Sequence, residues 1–169
     1  MSIKFCNGDL LESGCSLICH QVNCQGVMGS GIAKSIREKW PEVYSQYKHF
    51  CDEHDRMASE LYGGYEDGPV GSDLLLGKTQ KVEINDKQAV INMFSQLAYG
   101  YNGNRYTSYD AFYNCLCEII LHAKLGSRIG FPHGIGSVRG GANWNIILKM
   151  IEEVLSENYQ VEIWRFDKG

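Results

Sequence analysis

The sequence predicts an α/β fold, a three-layer α/β/α sandwich in which a mixed central sheet is covered by helices on both faces. Three observations predict it. Strand-like and helical segments alternate along the whole chain without internal repeats or low-complexity tracts. Two of the strand-like segments, Ser16 to Val22 and Arg128 to Phe131, are apolar enough to be buried. Each of these runs into a glycine-rich loop that opens a helical pattern. With 169 residues, 44% apolar and 21% charged, the chain is expected to form one domain over 1–169 and to need no disulfide or metal to hold its core.

Ile3 to Cys6 reads as a short strand closed by the turn Asn7-Gly8-Asp9, and Ser16 to Val22 as the second strand. After the glycines at 26, 29 and 31, the residues Ile32, Ala33, Ile36 and Trp40 share a helical face. Pro41 restarts a helix through Val43, Tyr44, Tyr47 and Phe50. Residues 55–72 are polar and glycine-rich and are expected to form a loop. Asp73 to Ile84 and Gln88 to Phe94 read as strands on either side of Asn85-Asp86-Lys87, and Tyr99 to Arg105 as a further loop. Phe112, Leu116, Ile119 and Ala123 recur at helical spacing in Tyr109 to Lys124, ahead of the buried strand Arg128 to Phe131. The second glycine cluster, Gly134 to Gly141, leads into a helix with Ile147, Met150, Ile151, Val154 and Leu155 inward. Val161, Ile163, Trp164 and Phe166 then mark a last strand.

Sixteen basic and twenty acidic residues, with no run of like charge, argue against bulk electrostatic binding of nucleic acid or a membrane surface. An anionic partner must then be held locally. The sequence shows neither a leader pattern nor an apolar stretch of ~18 residues, so no membrane partner is expected. Seven cysteines, mostly in apolar contexts, read as reduced thiols of a cytoplasmic protein. Cys15, Cys19, His20 and Cys24 gather potential zinc ligands. However, they lack a paired C-x2-C knuckle, and a strand would throw Cys19 and His20 to opposite faces. No metal and no organic cofactor is expected.

In open α/β sheets ligands bind beyond the carboxyl ends of strands, where loops meet helix N-termini, and both glycine clusters lie at such junctions. Glycine lets several N–H groups turn toward one anion, and the helix dipole adds about half a positive charge there. Two such loops suggest a diphosphate, although tight turns alone also require glycine. Gly71-SDLLL-Gly77-Lys78-Thr79 has one residue too many for a P-loop, its apolar run reading as strand. Neither glycine cluster matches the dinucleotide fingerprint, because Lys34 and Arg139 stand where the third glycine belongs.

Asn7-Gly8-Asp9-Leu10-Leu11, then His20-Gln-Val-Asn23-Cys-Gln-Gly26-Val-Met28-Gly29-Ser30-Gly31-Ile32-Ala33, then Phe131-Pro-His133-Gly134-Ile135-Gly136-Ser137-Val138-Arg139-Gly140-Gly141 resemble the macro domain family of ADP-ribose-binding proteins. The segments Val90 to Gln96 and Tyr99 to Tyr109 are similar to the compact stand-alone members. Those include ADP-ribose 1''-phosphate phosphatases and relatives of the terminal ADP-ribose protein glycohydrolases. The resemblance implies a macro-domain-like sandwich. It implies that Asp9 accepts from the adenine amine beside the Leu10 backbone and that Asn23 meets the distal ribose. Gly26, Met28 and Gly29 to Ile32 would then form the first phosphate loop, and Gly134 to Arg139 would surround the diphosphate. Asp9 also fits a plain helix N-cap, and Asn23 a turn residue.

Two departures from the family bear on catalysis. The glycohydrolase branch uses a lysine after the central strand, where this sequence has Ser95-Gln96. Many hydrolytic members carry an aspartate before a tryptophan in the last loop, where this sequence has Asn143 before Trp144. Asn143 is kept as a substrate contact, without the power of a carboxylate base. His20 and His133 remain as groups able to move a proton, with Asn23 orienting the ribose or a water. The expected activity is dephosphorylation of ADP-ribose 1''-phosphate. The alternatives are a non-catalytic reader of ADP-ribose, of ADP-ribosylated protein or of a similar signal nucleotide, and a mono-ADP-ribosyl hydrolase without a covalent lysine. Tyr99, Tyr101, Tyr106 and Tyr109 are candidates to line the pocket or to pack their own loop.

Overall fold

The computed structural model describes residues 3–62 and 71–166. The chain runs β1 (Lys4–Asn7), a 3-10 turn (Leu10–Glu12), β2 (Leu17–Asn23), α1 (Gly31–Lys39), α2 (Pro41–Tyr62), a second 3-10 turn (Gly71–Leu75), β3 (Thr79–Glu83) and β4 (Ala89–Gln96). It continues through α3 (Tyr109–His122), β5 (Arg128–Pro132), α4 (Trp144–Leu155) and β6 (Gln160–Arg165). The sheet order is β1-β6-β5-β2-β4-β3, parallel except for the antiparallel edge strand β3.

Central β2 is apolar along most of its length because helices cover both of its faces. Its alternation feeds two cores. Leu17 and Cys19 join Ile91, Met93 and Phe131 in the core that holds the inward residues of α3 and α4. Ile18 and Val22 join Val90 and Phe94 in the core that holds those of α1 and α2. The chain leaving β2 therefore goes to one face of the sheet, and the chain leaving its neighbour β5 goes to the other. Diverging loops at adjacent carboxyl ends open a crevice between them.

The structure departs from the sequence-based expectation in two segments. Residues 55–62, expected as loop, continue α2; of the remainder of that expected loop, 63–70 lie outside the described residues and Gly71 and Ser72 open the second 3-10 turn. The polar composition there is that of a solvated helix face, on which Arg56 bonds Glu53 (3.1 Å) and Glu60 (2.6 Å). The segment 73–78, expected as strand, is instead a 3-10 turn followed by a bend into β3. Gly71 packs so closely on α2 that a Cβ there would lie 1.9 Å from the His54 carbonyl oxygen, and Asp55 accepts from the Ser72 N–H (2.6 Å). These contacts fix the start of the turn.

On the far side of the sheet, buried Glu162 of β6 accepts from Arg128 Nε (2.6 Å) and Nη2 (3.0 Å) and from Trp164 Nε1 (3.0 Å). The Arg128 guanidinium holds this carboxyl below the usual range. Since the folded pKa lies below the unfolded one, the stabilisation is present above the ordinary carboxylate value and is lost as pH falls through the lowered one. Glu162→Gln is expected to cost about 2 kcal/mol at neutral pH and to flatten the acid limb of melting temperature against pH. Melting curves indistinguishable from wild type would show the pair to be dispensable.

Candidate functional site

A cavity of about 340 Å³ lies at the carboxyl ends of β2, β4 and β5. Its walls come from the glycine loop after β2, the segment after β4 and the glycine loop after β5.

The first wall is built on Asn23. Its Oδ1 accepts from the Gln25 N–H (2.9 Å) and the Val27 N–H (3.4 Å), and its Nδ2 donates to the Val27 carbonyl (2.9 Å). The buried Tyr47 hydroxyl lies 2.6 Å from the Asn23 carbonyl and 2.9 Å from Oδ1, and accepts from the Gly26 N–H (3.1 Å). Burial pushes the Tyr47 phenol up, which keeps its proton in place. Gly26 turns this loop at φ +77°, where an L side chain is strained. Gly31 to Ala33, the first turn of α1, line the cavity, and the N-cap Ser30 makes no side-chain bond to them. Those amides and the dipole of α1 therefore face the space an anion would fill.

The second wall is Gly134 to Gly140. Gly134 and Gly136 take φ of +78° and +74°. The Gly136 carbonyl accepts from the Thr107 hydroxyl (2.8 Å) and the Ala142 N–H (3.0 Å), and the Gly140 carbonyl accepts from the Tyr106 and Thr107 N–H groups (2.8 and 3.0 Å). Arg139 lies over the Tyr101 ring, 4.9 Å from its centroid. Unlike α1, the helix after this loop has its own side-chain cap. Asn143 Oδ1 accepts from the Asn145 N–H (2.9 Å), and the Asn143 N–H donates to the Tyr109 hydroxyl (2.8 Å).

Of the residues that the sequence suggested, Asn23, Gly29, Ser30, Gly31, Ile32, His133, Gly134, Ile135, Gly136, Val138 and Arg139 line the cavity. Asp9, Leu10, His20, Gly26, Met28, Ser137 and Asn143 lie outside the lining. Asp9 follows the edge strand β1 and accepts from the Leu11 N–H (2.9 Å), the N-cap arrangement. Leu10 packs against Gly130, and Met28 is buried in the core under α1 and α2. Gly26 lies against Lys48 and Tyr47. Ser137 spends its hydroxyl on the Gly134 carbonyl (2.6 Å).

The two histidines part company. His133 packs on Trp144 with ring centroids 5.0 Å apart and the rings tilted by 48°, and its Nε2 accepts from Arg165 Nη2 (3.1 Å). Burial and the Arg165 charge lower its pKa below the ordinary histidine value, so the neutral ring prevails. His20 shares the parity of Ile18 and Val22 and is fully buried, with Nε2 donating to Asn92 Oδ1 (2.6 Å) and, among the described residues, no partner for Nδ1. Burial lowers its pKa to about 4. Below the ordinary value of 6.5 the unfolded chain takes up a proton that folded His20 refuses, so this group lowers stability as pH falls toward 4. The loss amounts to about 3 kcal/mol. The non-titrating His20→Gln variant is expected to lose less stability than wild type between pH 6.5 and 4; equal slopes in chemical denaturation would discount His20.

Gln21, Gln96, Tyr99 and Tyr101 also line the cavity. The tyrosines were suggested by their loop, whereas the glutamines were not singled out as site residues. The available signal was a glutamine standing within an apolar strand two residues before its end. Gln96 occupies the region where the resemblance would have placed an attacking lysine. Its amide accepts from Gln21 (2.5 Å) and donates to the Ala98 carbonyl (2.9 Å). Among the described residues, the lining holds no carboxylate, lysine or cysteine, leaving Arg139 as its fixed cation and His133 as its imidazole.

A macrodomain protein from Streptomyces coelicolor superposes with a TM-score of 0.72 at 23% identity, covering 99% of this chain and 100% of that one. This chain has the macrodomain fold. The chain also matches a Bacteroides thetaiotaomicron protein of unknown function (TM-score 0.77, 25% identity, 98% of each chain). It matches Thermosipho africanus DarTG in complex with ADP-ribose as well (TM-score 0.69, 18% identity, 96% of this chain and 41% of that one). In sequence it is 22% identical over 165 residues to a DNA ADP-ribosyl glycohydrolase of Thermus aquaticus, covering 98% of this chain. Over 67 residues, 36% of this chain, it is 40% identical to an ADP-ribose 1''-phosphate phosphatase of Scheffersomyces stipitis. The matched part spans 41% and 39% of those relatives' own lengths. No family model matches this chain. None of its helices, among the described residues, is long and apolar enough to cross a membrane.

Proposed function

We propose that this macrodomain binds ADP-ribose with its diphosphate between the two glycine loops and hydrolyses the phosphate monoester of ADP-ribose 1''-phosphate. The observation that carries the proposal is the pair of backbone loops converging on one cavity, with the uncapped first turn of α1 on one side and Arg139 on the other. In the proposed reaction a water attacks the terminal phosphorus, the bond from phosphorus to the anomeric oxygen breaks, and that oxygen takes a proton. His133 accepts the proton of the attacking water at Nε2, the unprotonated nitrogen of its neutral ring, which gives up the hydrogen bond from Arg165 to do so. Asn23 shapes the first loop and keeps one Nδ2 hydrogen for the distal ribose. His20 is left out of this chemistry because it is buried away from the cavity.

The absence of carboxylate and lysine from the described lining favours a second reading, a non-catalytic reader of ADP-ribose or of mono-ADP-ribosylated protein. A mono-ADP-ribosyl hydrolase that uses water directly is the third, with the DNA ADP-ribosyl glycohydrolases among the relatives in its favour. A cytoplasmic location belongs to the same proposal, supported by seven cysteines that are all free.

Phosphorus NMR of ADP-ribose 1''-phosphate with catalytic and then stoichiometric protein separates the readings. Inorganic phosphate released at catalytic protein supports the phosphatase. Diphosphate signals that shift without phosphate release support the reader, and release of ADP-ribose from a mono-ADP-ribosylated substrate supports the third reading.

A further inference from the structure

Beneath the second loop lies a chain of hydrogen bonds whose direction is fixed. Gln96 Nε2 donates to the Ala98 carbonyl (2.9 Å), so Gln96 Oε1 accepts from Gln21 Nε2, which also donates to Thr107 Oγ1 (2.9 Å), while Gln21 Oε1 accepts from Ser95 Oγ (2.7 Å). An amide nitrogen can only donate, so the Thr107 hydroxyl accepts from Gln21 and spends its own proton on the Gly136 carbonyl (2.8 Å). Thr107 is 2% exposed and lies outside the cavity lining, yet its N–H also holds the Gly140 carbonyl. The fit is close, since a Cβ on Gly140 would sit 2.1 Å from Thr107 Oγ1.

We infer that Thr107, oriented by Gln21, is a positioning residue that holds the loop Gly134 to Gly140 in its anion-binding shape without touching the ligand. The role in ligand binding rests on the function proposed above; the role in loop shape does not. The loop is glycine-rich and, apart from the buried Ile135, has little side-chain packing of its own, so a neighbour must restrict its glycines. Thr107 restricts it at two carbonyls, four residues apart.

The test compares wild type with Thr107→Val, which keeps the shape and loses the hydroxyl, and Thr107→Ser, which keeps the hydroxyl. Amide hydrogen exchange of Ile135, Ser137 and Ala142, whose N–H groups are bonded within or next to the loop, is read without ligand. Exchange in Thr107→Val is expected to speed up roughly tenfold at these three, with β2 and β5 unchanged and Thr107→Ser within about twofold of wild type. Affinity for ADP-ribose is expected to fall by a similar factor in the valine variant and to be retained in the serine variant. Wild-type exchange in Thr107→Val, or serine behaving like valine, would overturn the inference. Should Thr107→Val fail to fold, Gln21→Met removes the orienting donor, and its exchange at the same three amides decides the matter in the same way. If wild type binds no ADP-ribose, the proposed function falls while the exchange result still decides the role of Thr107.

Discussion

Replacing His133 with alanine is expected to lower turnover of ADP-ribose 1''-phosphate about a hundredfold or more, with ADP-ribose affinity kept within a few-fold. The split follows from what the cavity offers. In the proposed complex the phosphates face backbone amides and Arg139, neither of which the substitution touches, whereas proton transfer has no carboxylate or lysine in the described lining to fall back on. The variant loses the packing on Trp144, so a small drop in melting temperature is also expected. The pH profile is the sharper reading. A general base works when unprotonated, and burial with the Arg165 charge lowers the His133 pKa. The wild-type rate is therefore expected to hold as pH falls through the ordinary histidine value and to decline only below it. Undiminished turnover in His133→Ala would assign the proton to substrate or solvent.

The second large effect is expected at Gly140. In Gly140→Ala the new methyl would lie 2.1 Å from Thr107 Oγ1, 2.5 Å from the Gly136 carbonyl oxygen and 2.9 Å from Gln21 Nε2. None of these is the free end of a flexible side chain, so the loop or the network beneath it must shift. Overpacking of this kind costs about 2 kcal/mol, and the displaced loop is expected to lower ADP-ribose affinity roughly a hundredfold. Isothermal titration beside a melting curve separates the two costs. Affinity within threefold of wild type would mean that the loop closes on its ligand after binding, without being held in advance.

The central strands and α4 were legible because their apolar residues follow one period from end to end. The last two turns of α2 were not, because ion pairs along a solvated helix face give the same polar composition as a loop. Within the site, the glycine loops were legible because only glycine meets the backbone geometry they need. The work of Asn23 was half legible: a turn residue could be read, but its partner Tyr47 lies 24 residues away in what looked like an ordinary core face. Gln21 and Thr107 are 86 residues apart, and neither type signals chemistry alone. His20 and His133 look equivalent in the sequence, although the parity of β2 already groups His20 with Ile18 and Val22. Only the packing of helices on that face shows the position to be fully buried.

The strand order also bears on how the protein is made. Among the described residues β1 is an edge strand that pairs with β6 alone, and β6 lies between it and β5. During synthesis the first strand must wait for Gln160–Arg165 to leave the ribosome, while β2, β4 and α1 already have their neighbours. The half of the pocket around Asn23 can form early in translation. The end of the sheet that carries Asp9 becomes part of the structure last, and a nascent chain arrested before β6 would carry the first glycine loop without it.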